Sequence, residues 1–161
     1  MQLSQFGRPA RFLSILLIAG LAQACALLRV TAPLPTDPVA RVNGYSRDAN
    51  GRLVITITFN EPVKQSSVVV GKTLIVSGQA DNNAAGTLAW SPDGKTVTFT
   101  STKTLDQLIS PRSTTDAFFT LTIIGTDSGQ GAVTDASGNR LDGDYDGTAG
   151  GDYKMSFTLI G

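Results

Sequence analysis

The sequence predicts an all-β protein in which two sheets pack face to face as a sandwich of about seven to nine short strands. Apolar and polar residues alternate with a period of two in several short segments, which is typical of strands with one buried face. The 161 residues include 17 Gly and 7 Pro, which suit many turns. Outside the N-terminus, no long segment has the 3.6-residue period of a helix.

The N-terminus predicts an export signal over residues 1–24. Arg8 and Arg11 precede the apolar run 12–21, and small residues follow that run. Ten residues are too few to span a bilayer. The charge-free stretch 12–28 reaches the lower limit for a span, so an uncleaved membrane anchor is the alternative.

Cys25, the only cysteine, lies where cleavage is expected. The segment Leu-Ala-Gln-Ala-Cys that ends at Cys25 resembles the lipobox of bacterial lipoproteins. The resemblance implies an acylated Cys25 that anchors the chain in a membrane, and Ala26 after it implies the outer membrane. Simple secretion is the alternative, with Ala22 and Ala24 as the small residues of the cleavage site.

Residues 25–38 are predicted to form a tether before a folded domain over residues 39–161. Pro33, Pro35 and Pro38 favour an extended, semi-rigid chain in this segment. The domain is long enough to bury a core without disulfides.

The first half of the domain is predicted to contain two hairpins. Asn50-Gly51 turns a strand over 39–45 into a strand over 53–59, and Pro62 ends the second strand because it has no amide proton. Short strands are expected at 68–70 and 73–77, and a loop at 78–86. In the next hairpin, Leu88 and Trp90 face inward, and the turn 91–94 leads to Val97 and Phe99.

The second half is predicted to contain one helical turn and two strands. Leu105, Leu108 and Ile109 have helical spacing, and Ser110-Pro111 ends the turn. Alternation then predicts a central strand over 119–123 and a last strand over 153–160.

Three motifs, at residues 57–63, 88–99 and 133–141, together resemble the bacterial Ig-like domain of surface-layer proteins of the SbsA type. The resemblance covers about residues 39–160, and it departs from the family at 103–116, where a shorter loop is usual. It implies an Ig-like two-sheet sandwich that serves as a spacer or adhesive module on a bacterial surface.

An acidic loop near the C-terminus predicts a structural Ca²⁺ site. Asp142, Asp144 and Asp146 alternate before Gly147, and Ca²⁺ takes six to eight oxygen ligands. Two further ligands are predicted, the Thr148 carbonyl and the Asp152 carboxylate. Strands flank the loop and Tyr153 holds the twelfth position, so the loop is not an EF-hand. The alternative is an open, solvated loop in which Asp-Gly pairs form turns.

Composition argues against catalysis and against nucleic acid binding. The chain has no His, so it lacks the usual base for a nucleophile, and its 13 basic residues match 13 acidic ones. Glu61, before Pro62, is expected to cap a sheet edge. We therefore expect no enzyme activity.

The sequence thus predicts a non-catalytic envelope lipoprotein with a structural or adhesive role and an unnamed protein or glycan partner. The alternatives are a carbohydrate-binding sandwich and an accessory subunit of an envelope hydrolase. Tyr145, in the acidic loop, is the candidate aromatic contact for a sugar, whereas Trp90 is expected to lie in the core.

Overall fold

The computed structural model describes residues 37–109 and 117–159. The predicted signal peptide, Cys25 and all but the last two residues of the predicted tether lie outside these residues. No helix in the two described ranges has the length and the apolar character that a membrane crossing requires.

The described residues form seven strands in two antiparallel sheets, which confirms the predicted sandwich. The strands and the single-turn helix α1 are β1 Ala40–Arg47, β2 Arg52–Phe59, β3 Leu74–Ser77, β4 Gly86–Trp90, β5 Thr96–Thr104, α1 Leu105–Ile109, β6 Ala117–Ile123 and β7 Tyr153–Leu159. The four-stranded sheet has the order β1-β2-β5-β4, and the three-stranded sheet has the order β3-β6-β7.

Strand β2 organises the core, because it pairs with β1 on one side and β5 on the other. Its side chains alternate between buried and half-buried, and the buried row is Leu53, Ile55, Ile57 and Phe59. The central strand of the other sheet contributes the buried Phe119, Leu121 and Ile123. Each such side chain contributes about 1.5–3 kcal/mol to folding through removal of its apolar surface from water.

Both predicted hairpin turns are present. Gly51 has a φ of 76°, and its amide donates to the Asp48 carbonyl at 3.0 Å. Gly94 has a φ of 69°, and its amide donates to the Ser91 carbonyl at 3.0 Å. Positive φ at these positions is available to glycine without steric cost, which is why the turns close there.

Trp90 lies half-buried at the end of β4, and its ring stacks on Phe59 with the centroids 6.5 Å apart. This contact agrees with the expectation that Trp90 belongs to the core. Gly86, the first residue of β4, lies so close to the Phe99 ring that an added Cβ would overlap it.

The predicted strand at 68–70 is wrong. Val70 makes only an isolated bridge to Leu74, and the carbonyl of Val69 accepts amide protons from residues 72, 73 and 74. The Thr73 hydroxyl accepts from the Val69 amide at 2.8 Å and donates to the Ser67 carbonyl at 2.5 Å. These bonds close a tight turn, so β3 begins only at Leu74.

The pairing of β2 and β5 shifts register between Arg52 and Val54, and a buried hydroxyl repairs the gap. The Ser101 hydroxyl accepts from the Leu53 amide at 2.9 Å and donates to the Lys103 carbonyl at 2.6 Å. Ser101 is 1% exposed, so this side chain replaces a missing ladder bond inside the core.

Candidate functional site

The acidic loop lies between β6 and β7 and is held to the body of the domain by backbone hydrogen bonds. The Asp142 amide donates to the Pro38 carbonyl at 2.9 Å, next to the start of β1. Within the loop, the Gly143 amide donates to the Gly150 carbonyl at 3.1 Å, and the Gly150 amide donates to the Leu141 carbonyl at 2.9 Å. The two ends of the acidic segment are therefore fixed beside each other.

Three carboxylates of this loop could hold a metal ion. Each of Asp142, Asp144 and Asp146 offers an oxygen, and these oxygens lie within 4.8 Å of one another. Asp142 is 7% exposed, whereas Asp144 and Asp146 are exposed. We call these three residues the Asp142 cluster. The Asp142 cluster therefore consists of one buried carboxylate and two exposed ones.

The buried member of the Asp142 cluster has an oxygen without a hydrogen-bond partner. Asp142 Oδ2 accepts the Gly147 amide at 3.0 Å, while Oδ1 is buried and unpaired. Leaving a buried polar atom unpaired costs about 1–3 kcal/mol, more when the group is charged. A cation is the partner that a buried, acceptor-only carboxylate oxygen can use.

The other two predicted ligands, Thr148 and Asp152, make different contacts. The Thr148 backbone amide donates to Asp146 Oδ1 at 2.7 Å, and this hydrogen bond orients the Asp146 carboxylate. Asp152 Oδ1 accepts the amides of Gly125 and Thr126, both at 3.2 Å. Asp152, at the end of the loop, thus binds the backbone at the start of the loop and is not a member of the Asp142 cluster.

Tyr145 stands between two members of the cluster in a left-handed backbone conformation, with a φ of 62°. Its hydroxyl donates to the Ala40 carbonyl of β1, yet 57% of the residue is exposed. Partial burial raises the pKa of the Tyr145 hydroxyl, the neighbouring Tyr153 raises it further, and the Arg41 cation lowers it. A non-glycine residue at positive φ costs energy, so the surrounding bonds hold this ring in place.

A groove of about 430 Å³ lies beside Tyr145, at the start of β1 and the end of β2. Its walls are mostly apolar, and they include one cationic residue, Arg41, and a few polar ones. The lining residues are Val39, Ala40, Arg41, Asn43, Thr58, Phe59, Asn60 and Tyr145. The predicted aromatic contact therefore lines a concave surface, a feature that the sequence did not indicate.

A second group of acids, around Glu61, was not predicted. Glu61 Oε1 is buried without a hydrogen-bond partner. Burial raises the pKa of the Glu61 carboxyl, and the negative charges of Asp135 and Asp37 raise it further, while Lys95 opposes them. Asp135 closes a turn, because its carboxylate accepts the Asn139 amide at 2.7 Å. The chain brings Glu61 and Asp135 together through the bridge between Val63 and Asp135.

Comparison with known proteins gives a family match. The model of a family described as the bacterial Ig-like domain matches residues 34–159, which is most of the chain. No curated protein matches the sequence.

Proposed function

Because this chain belongs to the family of bacterial Ig-like domains, we propose that it is a non-catalytic structural or adhesive module of the bacterial cell envelope. The family match suggests a structural or surface module, and the two-sheet sandwich presents loops on a rigid frame. The surface-layer type indicated by the three sequence motifs remains a prediction within this proposal.

The same proposal includes a structural Ca²⁺ at the Asp142 cluster. The observation that carries it is the buried, unpaired Oδ1 of Asp142 beside two other carboxylates. Three carboxylates repel one another without a cation, and hard oxygen ligands favour Ca²⁺ or Mg²⁺ over softer metals. The mixed, partly exposed ligand set suits Ca²⁺ better, because Mg²⁺ demands near-octahedral geometry and keeps most of its waters.

The proposed ion would order the loop without holding the sandwich together. At about 1 mM Ca²⁺ and a dissociation constant of roughly 10⁻⁴ to 10⁻³ M, binding stabilises the native state by about 0.4–1.4 kcal/mol. Calorimetric titration of the full-length chain with Ca²⁺, with Mg²⁺ as the control ion, tests the site. The absence of Ca²⁺ binding at millimolar concentration would remove it.

Attachment to the outer membrane through Cys25 is the third part of the proposal. It is supported by the residues that precede Cys25, which resemble a lipobox. Acyl chains contribute about 0.8 kcal/mol for each buried CH₂, so several chains hold a protein stably on a membrane. Mass spectrometry of the mature N-terminus decides between an acylated Cys25 and a secreted, unmodified chain.

The non-catalytic assignment is supported by the lack of His and by the single Cys at the predicted cleavage position. The unpaired Glu61 carboxylate lies beside Asp135, and paired carboxylates are the machinery of glycoside hydrolysis. Incubation of the purified chain with envelope polysaccharides tests this point. Release of reducing ends that stops in Glu61→Gln would overturn the assignment.

A further inference from the structure

The groove beside Tyr145 has the chemistry of a saccharide site. A pyranose presents an apolar C–H face and a rim of hydroxyls, and an exposed aromatic ring next to polar side chains complements both. The Tyr145 ring is exposed but fixed by its hydrogen bond to Ala40, so little freedom is lost when a ligand stacks on it. Asn43 lines the same groove and can offer its side-chain oxygen, because its amide nitrogen already donates to the Thr58 hydroxyl at 2.6 Å.

The positive charge of Arg41 favours a ligand that carries a negative charge. Its side chain is exposed, lines the groove and makes no ion pair with any residue in the described ranges. A guanidinium in this setting binds a carboxylate through two parallel hydrogen bonds. We infer that the groove binds a uronic-acid saccharide, with the sugar face on Tyr145 and its carboxylate on Arg41.

Calcium controls this binding, and this step rests on the metal site proposed above. Asp144 and Asp146 flank Tyr145 in the chain, and their carboxylate oxygens lie within 4.8 Å of those of Asp142. Without a cation, the three carboxylates of the Asp142 cluster repel an acidic ligand in the neighbouring groove. Ca²⁺ removes two of these charges and fixes the loop that carries the ring.

The test is calorimetry of the full-length chain with oligogalacturonates, compared with neutral galacto-oligosaccharides of the same length. We expect the uronates to bind more tightly than the neutral sugars in millimolar Ca²⁺, and binding to weaken at least about tenfold in chelator. Equal binding of neutral and acidic sugars would overturn the role of Arg41.

Two pairs of variants locate the site. Tyr145→Ala and Arg41→Gln should each weaken uronate binding about tenfold or more. Phe118→Ala removes a ring with the same 57% exposure, and Arg47→Gln removes an exposed cation of β1 outside the groove. Both controls should bind as the wild type does. Undiminished binding by Arg41→Gln would overturn the proposal even if Tyr145→Ala fails to fold.

A prior titration with Ca²⁺ alone separates this inference from the proposed metal site. Ca²⁺ binding without uronate binding overturns the saccharide groove and leaves the metal site standing. No Ca²⁺ binding overturns the metal site and, with it, the calcium control stated here. Uronate affinity that chelator leaves unchanged also overturns calcium control.

Discussion

Replacing Asp142 with Asn should stabilise the metal-free protein and abolish its stabilisation by Ca²⁺. The side chain keeps its shape and an oxygen for the Gly147 amide, but it loses the charge that meets Asp144 and Asp146 within 4.8 Å. Two unit charges at that separation repel by about 1 kcal/mol at the dielectric constant of water. Removing both repulsions should therefore stabilise the metal-free protein by about 1–2 kcal/mol.

The assay is a thermal melt of wild type and Asp142→Asn in chelator and in Ca²⁺. For a domain of this size, 1 kcal/mol corresponds to about 3–5 °C in Tm. The variant should melt about 3–10 °C above the wild type in chelator. In about 1 mM Ca²⁺ the wild type should gain roughly 1–7 °C and the variant nothing, because the variant has lost the buried ligand.

Asp127→Asn is the matched control, because Asp127 is an exposed residue of the same connection between β6 and β7 and lies outside the Asp142 cluster. It makes the same change in net charge and should leave both melts near those of the wild type. A lower Tm for Asp142→Asn in chelator would refute the repulsion argument. A calcium response that survives in that variant would refute Asp142 as a ligand.

Three further substitutions test the frame around the site. Gly86→Ala forces a methyl group into a buried ring and should destabilise by about 1–3 kcal/mol, whereas Gly44→Ala, with open space around it, should change stability little. Ser101→Ala leaves the buried Leu53 amide unpaired and should cost about 1–3 kcal/mol in chemical denaturation. Glu61→Gln should stabilise the protein near pH 7 and have no effect below about pH 4, because protonation of the native carboxyl relieves the same penalty at low pH.

The raised pKa of the Glu61 carboxyl makes the stability of the wild type depend on pH. A carboxyl with a higher pKa in the folded state favours folding most below its unfolded pKa, and this contribution is lost as the pH rises through the folded value. The difference in Tm between Glu61→Gln and wild type should therefore grow with pH. A difference in Tm that stays constant between about pH 4 and pH 7 would contradict the proposed burial penalty at Glu61. Equal melts for Gly86→Ala and Gly44→Ala would likewise contradict the packing argument.

Most strands could be predicted from the sequence because pairing with neighbouring strands preserves the two-residue alternation of buried and exposed side chains. In the segment from Leu53 to Phe59, apolar residues alternate along the sequence, and the same alternate residues are buried in the sheet. Residues 68–70 have the same apolar character, but Thr73 offers a hydroxyl to the Val69 amide and closes a turn instead. Local hydrogen bonding by a polar side chain overrode the β propensity there.

The candidate site was predictable only where it is local. Asp142, Asp144 and Asp146 are neighbours in the chain, so their convergence followed from their spacing. Asp152 was expected beside them, but amides 26 and 27 residues earlier in the chain bind its carboxylate. The groove at Tyr145 likewise depends on contacts with β1 more than 100 residues away, which composition and periodicity do not encode.

The outward-facing side chains of β2, β5 and β4 include several paired threonines. Thr58 lies opposite Thr96, Thr56 opposite Thr98, and Thr87 opposite Thr100, so this wall is covered by hydroxyls and methyl groups. None of these side chains takes up or releases a proton at physiological acidity. Because no charge on these threonines changes with pH, this part of the wall keeps the same surface in acid and in base.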